Sequence, residues 1–260
     1  MELGSCAGQV VGADLEAKMT ALHALGFDFI EPAWREPELP HLGKDFGTEL
    51  RQLGERTGCP VYSAIYGVFP DLGTRLRTPE SRAQELDTLT RACETLAAAG
   101  GEVLLLPNWA AENAPDYDSL YTAFLSEAGQ RAASLGIKLG IEHIPRSKYR
   151  NTAAQVFELA EMVGMENVGV YFDIANGIVI GDDPVESARR VAPRVVQFHV
   201  KGYRNELPLS AMPLREVKAV FEDAGFRGRV ATEIDPTEED GQKTNAHLAA
   251  ARTILTQNGY

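Results

Sequence analysis

The stretch "VYFDIANGIVIGDDP" (residues 170–184) poses the question that decides the fold. Val170, Tyr171 and Phe172 form an apolar, β-favouring run of the kind found in strands covered on both faces. The run then ends on a carboxylate, Asp173, followed by Asn176 and Gly177. A buried strand gains nothing from a charge at its end unless that end opens into a site. Working outward, similar short apolar runs recur: "MELGSC", "FDFIEPAW", "PVYSAIYGV", "GEVLLLPN", "IKLGIEHIP", "VGVYFDIAN", "VVQFHVKG" and "RVATEIDP".

Segments of helical period separate these runs. "LEAKMTALHALG" sets Leu15, Met19, Leu22 and Leu25 on one face and stops at Gly26. "PESRAQELDTLTRACETLAAAGG" carries Pro79 in its first turn and Gly100 past its end. "FGTELRQLGERTG", "DSLYTAFLSEAGQRAASLG", "NTAAQVFELAEMVG", "PVESARRVAP", "PLREVKAVFEDAG" and "TNAHLAAARTILTQ" complete the set. Strict alternation of eight strands with eight helices predicts an α/β fold, a (β/α)8 TIM barrel, as one domain over residues 1–260. The rival, a doubly wound open sheet, would carry a G-x-G-x-x-G turn after its first strand, and "GSCAGQVVG" lacks that spacing.

Composition narrows the function. The chain is 44% hydrophobic and 24% charged, enough for a sizeable core. Its net charge of −12 repels phosphate backbones and anionic membranes, so neither nucleic acid nor membrane is expected as a partner. Cys6, Cys59 and Cys93 form no C-x-x-C motif and read as small core residues in a reducing compartment. The opening "MELGSCAGQV" has neither a basic flank nor a long apolar run, and the cytoplasm is the expected location.

TIM barrels gather their active sites at the carboxyl ends of the strands. There the chain offers Glu31, Asn108 with Trp109, Glu142 with His143, Asp173 with Asn176, His199 with Lys201, and Glu233 with Asp235. Strands five to eight thus each supply one metal-competent side chain: Glu142, Asp173, His199 and Glu233. If all four point inward at one level, three carboxylates and an imidazole converge. Three buried carboxylates repel one another and stay protonated unless a counter-charge joins them. A divalent cation resolves this, with Mn²⁺ first and Mg²⁺, Co²⁺ or Zn²⁺ also suited to the donors. The bland alternatives are that Asp173 caps a turn and that His199 is a satisfied core histidine.

The motifs "LGIEHIPR", "GVYFDIANG", "VVQFHVKG" and "VATEID" resemble the sugar isomerase/epimerase superfamily of xylose isomerase-like TIM barrels. That group includes ketose 3-epimerases, hydroxypyruvate isomerases and inosose dehydratases. The resemblance spans nearly the whole chain and is strongest from Ile137 to Asp235. It implies a metal site of Glu142, Asp173, His199 and Glu233, with Asn176 at a position where the family often has His or Asn. Pro145 and Lys148 depart from the Asn-Arg-acid pattern of the ketose 3-epimerase branch.

A metal between two carboxylates suits proton abstraction next to a carbonyl. Glu142 and Glu233 are the expected catalytic pair, flanking a small sugar or hydroxy-ketone and forming an enediolate. Proton return to the opposite face of the same carbon epimerises; return to the neighbouring carbon isomerises. Asn176 and Arg204 are expected on substrate oxygens, and Lys201 on a carboxylate or hydroxyl. Trp109, with Trp34 and Tyr66, is expected to wall the sugar. Alternation sends His143 outside the barrel, and Glu31 either enters the site or caps the next helix. An inosose-type dehydratase stays open, since it begins with the same abstraction; so does a non-catalytic sugar-binding barrel. A repair endonuclease of this fold needs many histidines, and of His23, His41, His143, His199 and His247 only His199 stands at an inward strand end. Barrels of this kind often dimerise, so a homo-oligomer is also open.

Overall fold

Runs rich in Val, Leu, Ile and Phe become parallel strands, and the segments between them return the chain through helices. The computed structural model describes residues 1–67, 72–202, 208–234 and 242–260. Its strands are β1 (Leu3–Cys6), β2 (Phe29–Glu31), β3 (Ala33–Trp34), β4 (Ser63–Tyr66), β5 (Val103–Asn108), β6 (Lys138–His143), β7 (Val168–Asp173), β8 (Val195–Lys201) and β9 (Val230–Glu233). They pair in parallel in the order β2-β1-β9-β8-β7-β6-β5-β4-β3.

β2 and β3 are one stave of the barrel, cut at Pro32, which has no N–H to give a ladder. Ile30 N donates to Pro60 O (3.0 Å) and Ile65 N to Pro32 O (2.8 Å), joining this stave to the next one. Nine strands therefore make the eight staves of a TIM barrel, where the sequence pattern predicted one uncut second strand.

The helices are α1 (Leu15–Ala24), α2 (Lys44–Thr57), α3 (Leu72–Arg75), α4 (Pro79–Ala99), α5 (Tyr117–Ser134), α6 (Ala153–Val163), α7 (Ile174–Val179), α8 (Pro184–Val191), α9 (Leu214–Asp223) and α10 (Ala246–Gln257). All eight predicted helices are present, and α3 and α7 are additions. α6 opens with a capping box in which Thr152 and Gln155 exchange hydrogen bonds of 3.2 Å, worth about 1 kcal/mol.

Alternation along the strands builds two apolar layers. Outward residues such as Ile30, Leu104, Ile141, Val170 and Phe198 pack on the helices. Inward residues Phe29, Tyr62, Val103, Leu105, Tyr171 and Ala231 fill the barrel itself. Gly4 is needed here, because a Cβ on it would lie 2.2 Å from the Phe29 ring.

Two features of register place the site. Glu142 is level with Tyr171, Asp173 with His199, and Lys201 with Glu233. The register thus climbs from β6 to β9, as tilted strands of a closed barrel require, and brings inward ends to a common height. In addition, Val170 faces Val195 but Tyr171 faces Gln197, so β8 carries an extra residue, Val196. A regular ladder would set Asp173 beside outward-facing Phe198. The bulge sets it beside inward-facing His199.

Candidate metal centre

Glu142, Asp173, His199 and Glu233 point inward from β6, β7, β8 and β9, and one ligand atom of each lies within 4.8 Å of all the others. Opposed donors around a single ion with bonds of about 2.1 Å stand about 4.2 Å apart, so small side-chain shifts suffice to close the set on a cation.

Asp173 has two unlike oxygens. Its Oδ1 accepts from Ala175 N (2.8 Å) and Asn176 N (2.9 Å), capping α7. This cap turns "IANGIV" into a helix, so the sixth predicted strand ends at Asp173 and not at Asn176. The other oxygen, Oδ2, is buried without a hydrogen bond, 3.7 Å from Lys201 Nζ. The expected ligand and its bland alternative, a turn cap, thus share one carboxylate.

His199 is likewise two-sided. Nε2 lies 2.6 Å from Glu31 Oε2, while Nδ1 is buried without a hydrogen bond, 3.7 Å from Glu142 Oε1 and 3.6 Å from Glu233 Oε2. Burial opposes a charge on this ring, but Cys6 and Glu31 outweigh it and raise the pKa well above the usual histidine value.

Glu142 accepts from Asn176 Nδ2 (3.3 Å), and burial pushes its carboxyl up to about 7 against the pull of His199, with Asp173 adding to the rise. Lys201 Nζ donates to Glu233 Oε2 (2.9 Å). Burial disfavours the ammonium, yet Asp173, Glu233 and Glu142 hold its pKa above the ordinary lysine range. Four carboxylates, counting Glu31, still face one lysine and one histidine. The orphaned Asp173 Oδ2 and His199 Nδ1, the excess of acids and the oxygen-rich donor set fit a divalent cation.

The other predicted residues are spread more widely. Asn176 is buried, its amide turned onto Glu142 and the His143 carbonyl (3.1 Å). Trp109 is half-buried just past the end of β5. Arg204 and Asp235 lie outside the described residues. Trp34 and Tyr66 do not form a sugar wall: Trp34 is core, and the Tyr66 hydroxyl donates to Glu85 of α4 (2.9 Å). Alternation turns them outward onto the helices. His143 is outside the barrel as alternation predicted, its ring near Phe172, with both nitrogens buried and unbonded. Burial pushes it down to about 4.

Of its two expected roles, Glu31 takes the inward one, from below. It lies beneath the cluster with no exposure, bonded to His199. Cys6, read as a plain core residue, sits level with it, Sγ 3.3 Å from Glu31 Oε2 and 3.5 Å from His199 Nε2. The available signal was that both residues end neighbouring inward-facing strands.

A family model described as the xylose isomerase-like TIM barrel matches residues 19–253. Among solved structures, the chain is similar to a D-psicose 3-epimerase studied in the presence of D-fructose (19% identity, 99% of this chain and 98% of that one, TM-score 0.78). It is also similar to the 3-keto-D-glucoside 4-epimerase YcjR of E. coli (18% identity, 99% and 98% covered, TM-score 0.76) and to an IolI protein with a bound zinc atom (17% identity, 99% of each, TM-score 0.76). A sequence search of curated proteins gave no match. With its family model covering β2 to α10 and its barrel closed stave by stave, this chain belongs to the xylose isomerase-like TIM-barrel family.

Proposed function

We propose that this protein is a divalent-metal-dependent sugar isomerase or epimerase, with Glu142 and Glu233 as its acid–base pair and Mn²⁺ as its ion. The observation that carries this reading is the placement of Glu142 and Glu233 on either side of His199 Nδ1, with the orphaned Asp173 Oδ2 completing the set. A divalent ion held by these four residues would supply electrostatic stabilisation for charge developing on a substrate carbonyl oxygen.

The chain's own groups divide the rest. Glu142, deep in the cluster and held by the Asn176 amide, is the proposed group that takes the first proton. Glu233, which accepts a hydrogen bond from the Lys201 ammonium, is the proposed partner base. A carbon held between them loses a proton to one carboxylate. It regains a proton from the other for epimerisation, or at the neighbouring carbon for isomerisation. Asn176 fixes the Glu142 carboxylate, and Lys201 fixes Glu233. Trp109, Asn176, Lys201 and Arg204 are the proposed substrate contacts.

Free ketohexoses are the proposed substrate class. Similar folds include the D-psicose 3-epimerase studied with D-fructose and a D-psicose 3-epimerase with D-tagatose from Clostridium cellulolyticum H10. Among the described residues no helix is long and apolar enough to cross a membrane. The three buried free thiols support the cytoplasm as the compartment.

The test is incubation with Mn²⁺ in D₂O against ketoses, hydroxypyruvate and inososes. Deuterium appearing at carbon next to the carbonyl supports the proposal. Loss of water would instead make the protein a lyase, and binding without exchange would make it a sugar-binding barrel.

A further inference from the structure

Beneath the four converging side chains lies a second, fully buried layer, and it centres on Glu31. This carboxylate accepts from Tyr171 Oη (2.8 Å) at Oε1, with Gln197 Nε2 3.3 Å away, and from Cys6 Sγ (3.3 Å) at Oε2, where His199 Nε2 also stands at 2.6 Å. An ionised carboxylate offers about four acceptor sites; Tyr171, Cys6 and His199 take three, and Gln197 Nε2, whose two hydrogens have shorter acceptors in Tyr171 Oη and Ser63 Oγ, packs beside the fourth. Fully buried beneath the cluster and held by these neighbours, Glu31 is out of reach of a substrate at the mouth. Whatever it does, it does through its neighbours.

We propose that Glu31 is a positioning residue that selects which nitrogen of His199 faces the cation. The inference rests on the metal reading above. A neutral imidazole carries its proton on one nitrogen only, and a ligand nitrogen must be the bare one. An anion at 2.6 Å from Nε2 holds the proton there and leaves the Nδ1 lone pair directed into the cluster. The same negative charge makes that lone pair more basic. Neighbouring side chains hold Glu31 in turn: Gln197 Nε2 donates to Tyr171 Oη (2.7 Å) and to Ser63 Oγ (2.8 Å). Five residues on five strands thus fix one ring without touching the ion.

The competing explanation is that Glu31 is only a counter-ion for a doubly protonated His199. That arrangement would need an acceptor for an Nδ1 proton. The two nearest carboxylate oxygens are 3.7 and 3.6 Å away, beyond hydrogen-bond distance, and Nδ1 has no partner. The two explanations predict opposite effects of removing the charge. A counter-ion holds a competing proton in place, so its loss would strengthen cation binding. A positioning anion orients and sharpens the ligand, so its loss weakens binding.

The experiment is Mn²⁺ affinity by chelator competition for the whole protein and for Glu31→Gln, which keeps shape and removes charge. Zn²⁺-loaded samples of both are then compared by ¹⁵N-edited NMR. We expect affinity to fall about 10–100-fold in the variant. In the unaltered protein, the Nε2 proton of His199 should resonate far downfield and Nδ1 should carry none; in Glu31→Gln that proton should move upfield. Equal or tighter binding by the variant overturns the inference while leaving the metal reading intact. No binding by the unaltered protein overturns the metal reading itself. If Glu31→Gln fails to fold, the spectrum of the unaltered protein decides alone: a proton on Nδ1, or no hydrogen-bonded Nε2 proton, rejects the positioning role.

Discussion

The two arcs of the barrel wall end in different chemistry. From β6 to β9 the inward strand ends present oxygen and nitrogen atoms to a shared space. From β1 to β5 the polar ends are spent on support. Asn108 donates to the carbonyls of Tyr149 and Arg150 (2.9 Å each), tying the loop after β6 to the end of β5. Tyr66 is committed to Glu85, and Glu31 to His199. Under the proposed function, one arc would supply the reacting groups and the other would hold them still, as a rigid scaffold keeps a site in reacting geometry.

The sharpest way to break this contrast is to remove a reactive group and compare it with a supporting one. Glu142→Gln is expected to cut turnover, or deuterium uptake, by about 10³-fold while the protein stays folded. Unchanged turnover would remove Glu142 from its role. Asp173→Asn comes next. It keeps the Oδ1 acceptor that caps α7 and loses the charge, so Mn²⁺ affinity should drop at least about tenfold with little loss of metal-free stability. Loss of the fold, measured by circular dichroism, would show that the cap is its main task.

A third test uses two adjacent residues with opposite fates. Glu142 is raised from 4.5 to about 7 inside the barrel, and His143 is lowered from 6.5 to about 4 outside it. Between pH 4.5 and 7 the folded state holds an extra proton on Glu142, so its contribution to stability falls as pH rises. Between pH 4 and 6.5 the unfolded state holds an extra proton on His143, so that contribution falls as pH drops. The two oppose each other in the metal-free protein. Metal-free His143→Leu should therefore melt higher at pH 5 than at pH 7, and metal-free Glu142→Gln lower; thermal scans at both pH values check this. The same direction in both variants would contradict the environments described.

The smallest effect on chemistry is expected from the supporting arc. Asn108→Ala should lower stability by about 1 kcal/mol, since the part-buried Arg150 carbonyl loses the Asn108 donor while the Tyr149 carbonyl keeps Ser147 Oγ, and leave Mn²⁺ affinity within about twofold. A large loss of affinity would show that this arc is not merely support.

Much of this was legible in the chain. Alternation and strand-end chemistry pointed to Glu142, Asp173, His199 and Glu233, because inward positions recur every second residue and buried acids must share a counter-charge. What was not legible depends on partners distant in sequence. Nothing local reveals the extra residue Val196, which sets Asp173 beside His199. The predicted sixth strand ran on through Ile174, Ala175 and Asn176, which lie in α7 behind the Asp173 cap. Glu31 was visible at a strand end, but its partner is 168 residues away. The aromatic wall failed at Trp34 and Tyr66 because residue type does not tell which face of a stave a ring takes.

The most direct test is an anomalous difference map from a crystal grown with Mn²⁺. One peak is predicted within about 2.0–2.3 Å of Asp173 Oδ2, His199 Nδ1 and an oxygen each of Glu142 and Glu233. A cluster with no peak, or a peak held by other residues, would contradict the account.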